Sequence, residues 1–258
     1  MPLYRRTKVK PEPLLEFAIG WMRRNASTDR TDARYVQFDC GPFLFDKVRM
    51  TGLYDFEFAM IVDPMMDFAT MFMWEAVEPL GSPFEALCEE YARASGKAVD
   101  QCAVLFHTLQ FATLGTMQFA GTVTRGMPGD PHSIYLEWDL SLREVMIIAL
   151  SRLMGQPLPE IPAPEARNGA LLGLIGKIGD TLSRLNGAEP IDESSKDQLQ
   201  NMLSLLERFD TVGQSARDQN LTEIGGLQAS DFTDLAEAEQ ALERHILQAA
   251  PEEGAALF

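Results

Sequence analysis

The sequence contains few of the residues that build metal clusters and disulfide frameworks. Its 258 residues include three cysteines, Cys40, Cys88 and Cys102, and three histidines. The cysteines are odd in number, lie far apart and lack metal-ligand spacing, so neither a disulfide framework nor a cysteine-based metal site is expected. A histidine-based metal site would need distant residues to converge and is not expected either.

Long apolar runs and positive charge are also scarce. No run approaches the roughly 20 residues that span a bilayer, and the N-terminal residues offer no apolar segment of signal-peptide length. We therefore expect a cytoplasmic protein without a membrane partner. The 22 basic residues stand against 38 acidic ones, and the resulting net charge of −16 argues against nucleic acid as a partner.

The basic residues that are present concentrate in the first 50 positions. The cluster consists of Arg5, Arg6, Lys8, Lys10, Arg23, Arg24, Arg30 and Arg34. One interpretation is a solvated basic face, as charge runs usually are. The other is a docking face for an acidic partner or for phosphates.

The order of the elements predicts a mainly helical fold with a small β component. Residues 1–10 resemble an irregular lead-in, and Pro11-Glu12-Pro13 then opens a helix. Two short strands, Phe43–Phe45 and Met50–Tyr54, form a predicted hairpin. From Met65 onward the pattern is typical of one helix after another.

A cluster of prolines marks the predicted domain boundary. Positions 157, 159, 162 and 164 are all proline, and such a cluster cannot lie inside a helix. The sequence therefore predicts a first domain over residues 1–155 and a helical extension over 165–258, with a mobile tail from Pro251 to Phe258. The helices predicted in the extension are Glu165–Leu185, Ser194–Phe209 and Phe232–Ala249.

Two aspartates flank the predicted hairpin. Asp39 comes just before the first strand and Asp55 directly after the second. Antiparallel pairing places the start of one strand beside the end of the other, so both carboxylates are expected at the same end of the hairpin. Two carboxylates at the same end of a hairpin could share a metal ion or a phosphate, which indicates phosphoryl transfer.

Three consecutive motifs resemble those of one enzyme family. Phe38–Asp46 looks like a His-Gly-Asp catalytic loop with its following strand, Thr51–Ala59 like a metal-binding segment, and Val62–Ala69 like a Gly-Asp-Pro-x-x-Asp-Leu-Ala helix start. With them, residues of about 12–154 resemble the C-terminal lobe of the aminoglycoside phosphotransferase-like (choline-kinase-like) family, which shares the protein-kinase fold. The resemblance implies a mainly α (α+β) fold: a kinase-like C-terminal lobe with a small β-hairpin, followed by the helical extension.

The resemblance also implies roles for the two aspartates. Asp39 matches the catalytic carboxylate that orients or deprotonates the acceptor hydroxyl of a small molecule, and Asp55 matches the carboxylate that holds Mg²⁺ against nucleotide phosphates. Mg²⁺ and ATP are implied as cofactors only if the protein is active, and no cofactor is implied otherwise. The motifs identify no residue that would bind the nucleotide itself.

The chain departs from the family pattern at several positions. Gln37 stands where the family has histidine, Phe38 stands where it has glycine, and Pro42 falls near a second metal ligand that is usually asparagine. Proline offers no side-chain ligand. The 38 residues ahead of Asp39 show no pattern of a nucleotide-binding sheet, so the lobe that grips ATP is expected to be missing.

Three functions remain open from these patterns. The first is a degenerate phosphotransferase-like protein, a pseudokinase that acts as a binding or regulatory module. The second is an active small-molecule phosphotransferase that a separate chain resembling the N-terminal lobe completes. The third is a purely structural helical scaffold. A separate lobe-like chain or a second copy of this protein is the expected partner, because surface left by the absent lobe would otherwise be exposed.

Several nearby polar residues are interpreted as structural. Asp63 precedes Pro64 and is expected to cap a helix, and Asp67 is expected to be a first-turn carboxylate of the same helix. Glu57 is expected to anchor its loop. His107 lies in an apolar helical pattern and is expected to be a hydrogen-bonded core histidine.

Overall fold

A computed structural model describes residues 2–39, 41–77, 80–127, 130–185 and 189–258. The structure is 65% helical and its β structure is confined to two small strand pairs. This confirms the predicted mainly α class with a small β component. Within the described ranges, none of the helices combines the length and the apolar character that crossing a bilayer requires. Cys40 lies outside the described residues.

The elements follow one another along the chain with the helices mostly after the strands. In order they are α1 (Pro2–Thr7), α2 (Pro13–Asn25), β1 (Arg34–Val36), β2 (Phe43–Asp46), β3 (Arg49–Leu53), β4 (Met60–Val62), α3 (Met65–Val77), α4 (Phe84–Ser95), α5 (Gln101–Arg125), α6 (His132–Met154), α7 (Leu172–Ser183), α8 (Pro190–Gln228), α9 (Leu235–Gln248), a 3₁₀ turn (Pro251–Glu253) and α10 (Gly254–Leu257).

The chain forms two compact units, each discontinuous in sequence. One contains Met1–Phe17, Gln118–Asp139 and Pro159–Phe258, and the other contains Ala18–Met117 and Leu140–Leu158. The second unit carries both predicted site aspartates. The predicted division into residues 1–155 and 165–258 stays a prediction beside this grouping.

The second unit is built around an aromatic core that α3, α4 and α5 supply. Phe72 of α3 and Phe84 of α4 are buried, and their rings meet edge to face with centroids 5.3 Å apart. Helix α4 ends at Gly96, whose φ of 72° is left-handed and whose N–H donates to the carbonyl of Ala92. The left-handed glycine thus ends the helix and satisfies one of its last carbonyls.

The strands form two antiparallel pairs rather than one sheet. β1 pairs with β4, with Val36 opposite Met60. β2 pairs with β3, with Phe43 opposite Leu53, and a bulge lies between Leu44 and Phe45. The predicted hairpin is therefore confirmed, and a second ladder, β1–β4, adds to it.

Three segments of the first unit differ from what the sequence predicts. The predicted helix Glu165–Leu185 is helical only over Leu172–Ser183. Residues Pro2–Thr7, predicted to be irregular, form a helix, and Arg5 in its last turn binds the buried carboxylate of Glu16 on α2 at 2.6 Å. Helix α8 runs for 39 residues, far beyond the predicted end at Phe209. Both α7 and α9 pack against α8 and extend the surface that it buries. In the tail, the ring of Phe258 stacks on Phe17 at 6.1 Å, and the predicted mobility stays a prediction.

Candidate functional site

Two strand pairs bring the segments that carry Asp39 and Asp55 side by side. Asp39 lies between β1 and β2, and Asp55 lies between β3 and β4. The end of β1 is beside the start of β4, and the start of β2 is beside the end of β3. The two connecting segments must therefore run next to each other. The catalytic role of Asp39 and the metal-binding role of Asp55 stay predictions.

Gln37 joins the two connecting segments through its side chain. Its amide nitrogen donates to the carbonyl of Tyr54 at 2.8 Å and to the carbonyl of Pro42 at 3.3 Å. The N–H of Tyr54 also donates to the Pro42 carbonyl, at 3.1 Å. Two carbonyl acceptors fix the amide orientation, since only the NH₂ end can donate. Gln37, which stands where the resemblance places a histidine, thus connects the two segments at the hairpin base by hydrogen bonds.

Asp39 is held by a tryptophan from α3. Its Oδ1 accepts a hydrogen bond from the indole N–H of Trp74 at 3.1 Å and another from the N–H of Gly41 at 3.0 Å. Both bonds reach the same oxygen of a half-buried side chain. An indole nitrogen can only donate, so this contact fixes the position of the carboxylate.

Asp55 occupies an exposed bend with unusual backbone geometry. Its φ is +60°, in the left-handed region that non-glycine residues seldom adopt, although aspartate tolerates it better than most. Phe38, next to Asp39, has a φ of +79°. Positive φ values of this kind cost on the order of 1–3 kcal/mol each and cluster at functional sites. Each candidate aspartate therefore has such a strained position at or beside it.

Asp67 supports the strained backbone beside Asp39. Its Oδ1 accepts the N–H of Phe38 at 2.9 Å, across 29 residues of sequence. Burial raises the pKa of Asp67, and hydrogen bonds from the backbone of Phe38 and Gln37 partly offset that rise. Asp67 is a first-turn carboxylate of α3, as the sequence predicts. Through this contact Asp67 positions the Asp39 loop, a role that the sequence interpretation missed. The signal was present, because Asp67 is the second aspartate of the Asp-Pro-x-x-Asp pattern.

Asp63 is the centre of an ion-pair network beside the site. Arg30 donates to both of its carboxylate oxygens and also donates to Asp100 at 2.6 Å. The N–H of Met65 donates to Asp63 at 3.0 Å, which caps α3 as the sequence predicts. The Nε2 atom of His107 on α5 lies 3.2 Å from the same carboxylate. This network joins the chain ahead of β1 to the starts of α3 and α5.

The charged side chains of the network shift one another's pKa values towards the ionised forms. Burial by itself would raise the pKa of Asp63, but hydrogen bonds from Arg30, from the N–H of Met65 and from His107 lower it to about 2. The pKa of Arg30 is raised, chiefly by its hydrogen bond to Asp63. The pKa of Asp100 is lowered by the N–H of Ala103 and further by Arg30. The folded state thus prefers an ionised Asp63.

Protonation of Asp63 is therefore expected to lower the free energy of unfolding at acidic pH. Folding lowers the pKa of Asp63 from 3.8 to about 2. The ionised carboxylate therefore contributes its full stabilisation above about pH 4, and this contribution is lost as the pH falls through about 2. The shift corresponds to about 2 kcal/mol. We expect the stability difference between the wild type and Asp63→Asn to shrink by about this amount between pH 6 and pH 2. Urea unfolding at a series of pH values measures it, and a difference that stays constant would contradict the assignment.

Within the part of the chain that the structure describes, the carboxylates near the hairpin base form no metal-binding cluster by themselves. Among the described residues, no group of three or more His, Cys, Asp or Glu side chains is placed to hold a metal ion. The carbonyl of Pro42 already accepts two hydrogen bonds, from Gln37 and Tyr54, and its ring offers no ligand. One or two carboxylates can hold Mg²⁺ only when substrate phosphates and waters supply the other ligands. The metal-binding role of Asp55 thus stays a prediction, and Mg²⁺ there would need further ligands from phosphates and waters.

One of three comparisons with known proteins agrees with the motifs. No curated protein and no solved structure matches the chain. A family model described as APH, Phosphotransferase enzyme family, matches residues 13–103, which include the hairpin, both candidate aspartates and the Asp63 network apart from His107. This match confirms, over residues 13–103, that the chain is similar to the aminoglycoside phosphotransferase-like family.

Proposed function

We propose that residues 13–103 are a degenerate phosphotransferase-like segment that serves as a binding or regulatory module. The observation that carries this proposal is the hydrogen bonding of Gln37. The side-chain NH₂ group at the position of the family's histidine is bonded to the Pro42 and Tyr54 carbonyls, so this group maintains the loop. The family match supports the kinase-like origin of the segment.

The chain ahead of Asp39 supports the same proposal. Its described residues form α1, α2 and the three-residue strand β1. A nucleotide-gripping sheet is therefore not supplied by this stretch. ATP-dependent turnover would need such a sheet from elsewhere, whereas a binding or regulatory module would not.

An active small-molecule phosphotransferase is the alternative, and one observation favours it. Both family carboxylates are kept, and the two strand pairs place their segments side by side. In this alternative Asp39, fixed by Trp74, would orient the acceptor hydroxyl. Asp55 would provide a single contact to Mg²⁺. A separate chain would have to supply the groups that hold the nucleotide.

Nucleotide binding separates the two functions. For a binding or regulatory module, we expect no Mg²⁺-dependent heat on titration of ATP into the protein, and no transfer of phosphate to small hydroxyl compounds. The reason is that a lone carboxylate contact cannot replace the phosphate-holding groups of a complete site. Isothermal titration calorimetry and a γ-phosphate transfer assay measure both quantities.

A substitution pair makes this experiment decisive. If the wild type binds Mg²⁺·ATP, and Asp55→Ala weakens that binding at least about tenfold, the active phosphotransferase replaces our proposal. Asp46→Ala is the matched control, because Asp46 is an exposed aspartate at the opposite end of the same hairpin. Equal loss in both variants would indicate a general charge effect instead of a metal contact.

A further inference from the structure

The β2–β3 hairpin carries an exposed apolar face. Residues opposite each other in an antiparallel pair share a face, so Phe43 lies with Leu53, and Phe45 lies with Met50. These side chains are 41%, 46%, 67% and 57% exposed, in that order. The rings of Phe43 and Phe45 are 6.1 Å apart on this face. Val48 at the turn is fully exposed.

The face formed by Phe43, Phe45, Met50 and Leu53 has the size of a local interaction patch. At about half of the roughly 150–250 Å² that large side chains present, these four side chains expose on the order of 400 Å². The largest apolar patch on a soluble monomer covers about 300–600 Å² and often has a function. A stable interface buries about 800 Å² per partner, so the surface around this face must contribute the remainder.

The charges at the two ends of the hairpin have opposite signs. The turn carries Lys47 and Arg49 beside Asp46, and the base carries Asp55 and Glu57 near Asp39. Among the described residues, neither Lys47 nor Arg49 takes part in an ion pair within the chain. Arg49 and Asp55 are separated by roughly 20 Å of extended chain, which exceeds the screening length of about 8–10 Å. The two ends therefore act as separate charges.

Such a surface is complementary to itself. If a second copy docks antiparallel across a two-fold axis, the basic turn of each hairpin lies against the acidic base of the other. A parallel arrangement would place like charges together. We propose that the hairpin face is a homodimer interface, in which two copies pack their Phe43, Phe45, Met50 and Leu53 side chains together in antiparallel orientation.

This inference goes beyond the proposed function and does not depend on it. In the dimer, the partner's Lys47 and the partner's Arg49 approach the acidic base that contains Asp55. Association and the absence of nucleotide binding are measured separately, so either can fail alone.

The first test removes the apolar contacts. Sedimentation velocity and light scattering of the full chain over about 1–100 μM are expected to show a dimer that Phe45→Glu dissociates at least about a hundredfold more readily, since a charge would enter the apolar interface. Phe209→Glu is the matched control, since Phe209 on α8 is 65% exposed, close to the 67% of Phe45. A monomer at every concentration, or an equal loss in both variants, overturns the proposal. Far-UV circular dichroism verifies that the variants are folded.

The second test exchanges the charges. Lys47→Glu and Glu57→Lys are each expected to weaken the dimer about tenfold, because each attraction becomes a repulsion twice across the two-fold axis. The double variant restores opposite charges at the two ends and is expected to recover affinity to within about threefold of the wild type. A double variant that is weaker than both single variants overturns the antiparallel arrangement. Added salt is expected to weaken the wild-type dimer and the double variant alike.

Discussion

Replacing Asp63 with alanine is expected to lower the free energy of unfolding by about 2–4 kcal/mol. The change removes the cap on α3, worth about 1 kcal/mol, together with the carboxylate that binds Arg30. The side chain of Asp63 is only 12% exposed, so the attraction is weakly screened, and breaking such a pair leaves its partner poorly compensated. Arg30 would keep only Asp100, whose carboxylate is about half exposed. Urea unfolding monitored by circular dichroism measures the loss.

A second aspartate near the same strands provides the control. Asp32 pairs with Arg34 at 2.9 Å, but both side chains are more than half exposed. Exposed pairs contribute about 0–1 kcal/mol, so Asp32→Ala is expected to have little effect. Asp63→Asn separates the two contributions, because its amide oxygen can still cap α3 while the charge is lost. If Asp63→Ala were no more harmful than Asp32→Ala, the network would have no structural importance.

Replacing Asp67 with alanine is expected to loosen the Asp39 loop and to cost about 2–3 kcal/mol. The N–H of Phe38 loses its acceptor next to a buried ring, and an unsatisfied buried donor costs about 1–3 kcal/mol. The same bond holds Phe38 at a φ of +79°, so the backbone is free to relax once the bond is gone. The shift should reach Asp39, the next residue, and its bond to Trp74.

Two measurements report on the Asp67 variant. Hydrogen exchange of the Phe38 and Gly41 amides is expected to accelerate by at least about tenfold, and tryptophan fluorescence should change as the indole of Trp74 loses its partner. Asp67→Asn keeps an acceptor oxygen for Phe38 and is expected to have a smaller effect. Glu75→Ala, near the other end of α3, is the control. Unchanged exchange in Asp67→Ala would show that other contacts maintain the loop.

The elements of the site could be predicted because their signals are local. The hairpin strands follow from short apolar runs bounded by Gly41-Pro42 and by a polar turn, and both strands lie where these signals place them. The start of α3 follows from Asp63-Pro64, which is a cap followed by a first-turn residue. The family resemblance depends on the same short motifs, and the match over residues 13–103 confirms it.

The ion pairs of the basic cluster near the N-terminus could not be predicted from local sequence patterns. The sequence allowed either a solvated face or a docking face for it. In the structure Arg5 and Lys8 pair with the buried Glu16, and Arg30 pairs with Asp63. These three basic residues hold the fold together within their own units, which neither interpretation had anticipated.

By itself, the sequence determined the class of the fold, the hairpin, the helix starts and the two aspartates beside the strands, because each depends on residues a few positions apart. Only the tertiary structure decided which groups meet: Arg30 with Asp63 and Asp100, Gln37 with Tyr54, and Phe38 with Asp67. Those partners are separated by 33, 70, 17 and 29 positions. With 38 acidic residues in the chain, charge alone cannot select the partner of one arginine. The packing of α3 and α5 against the strands makes that selection.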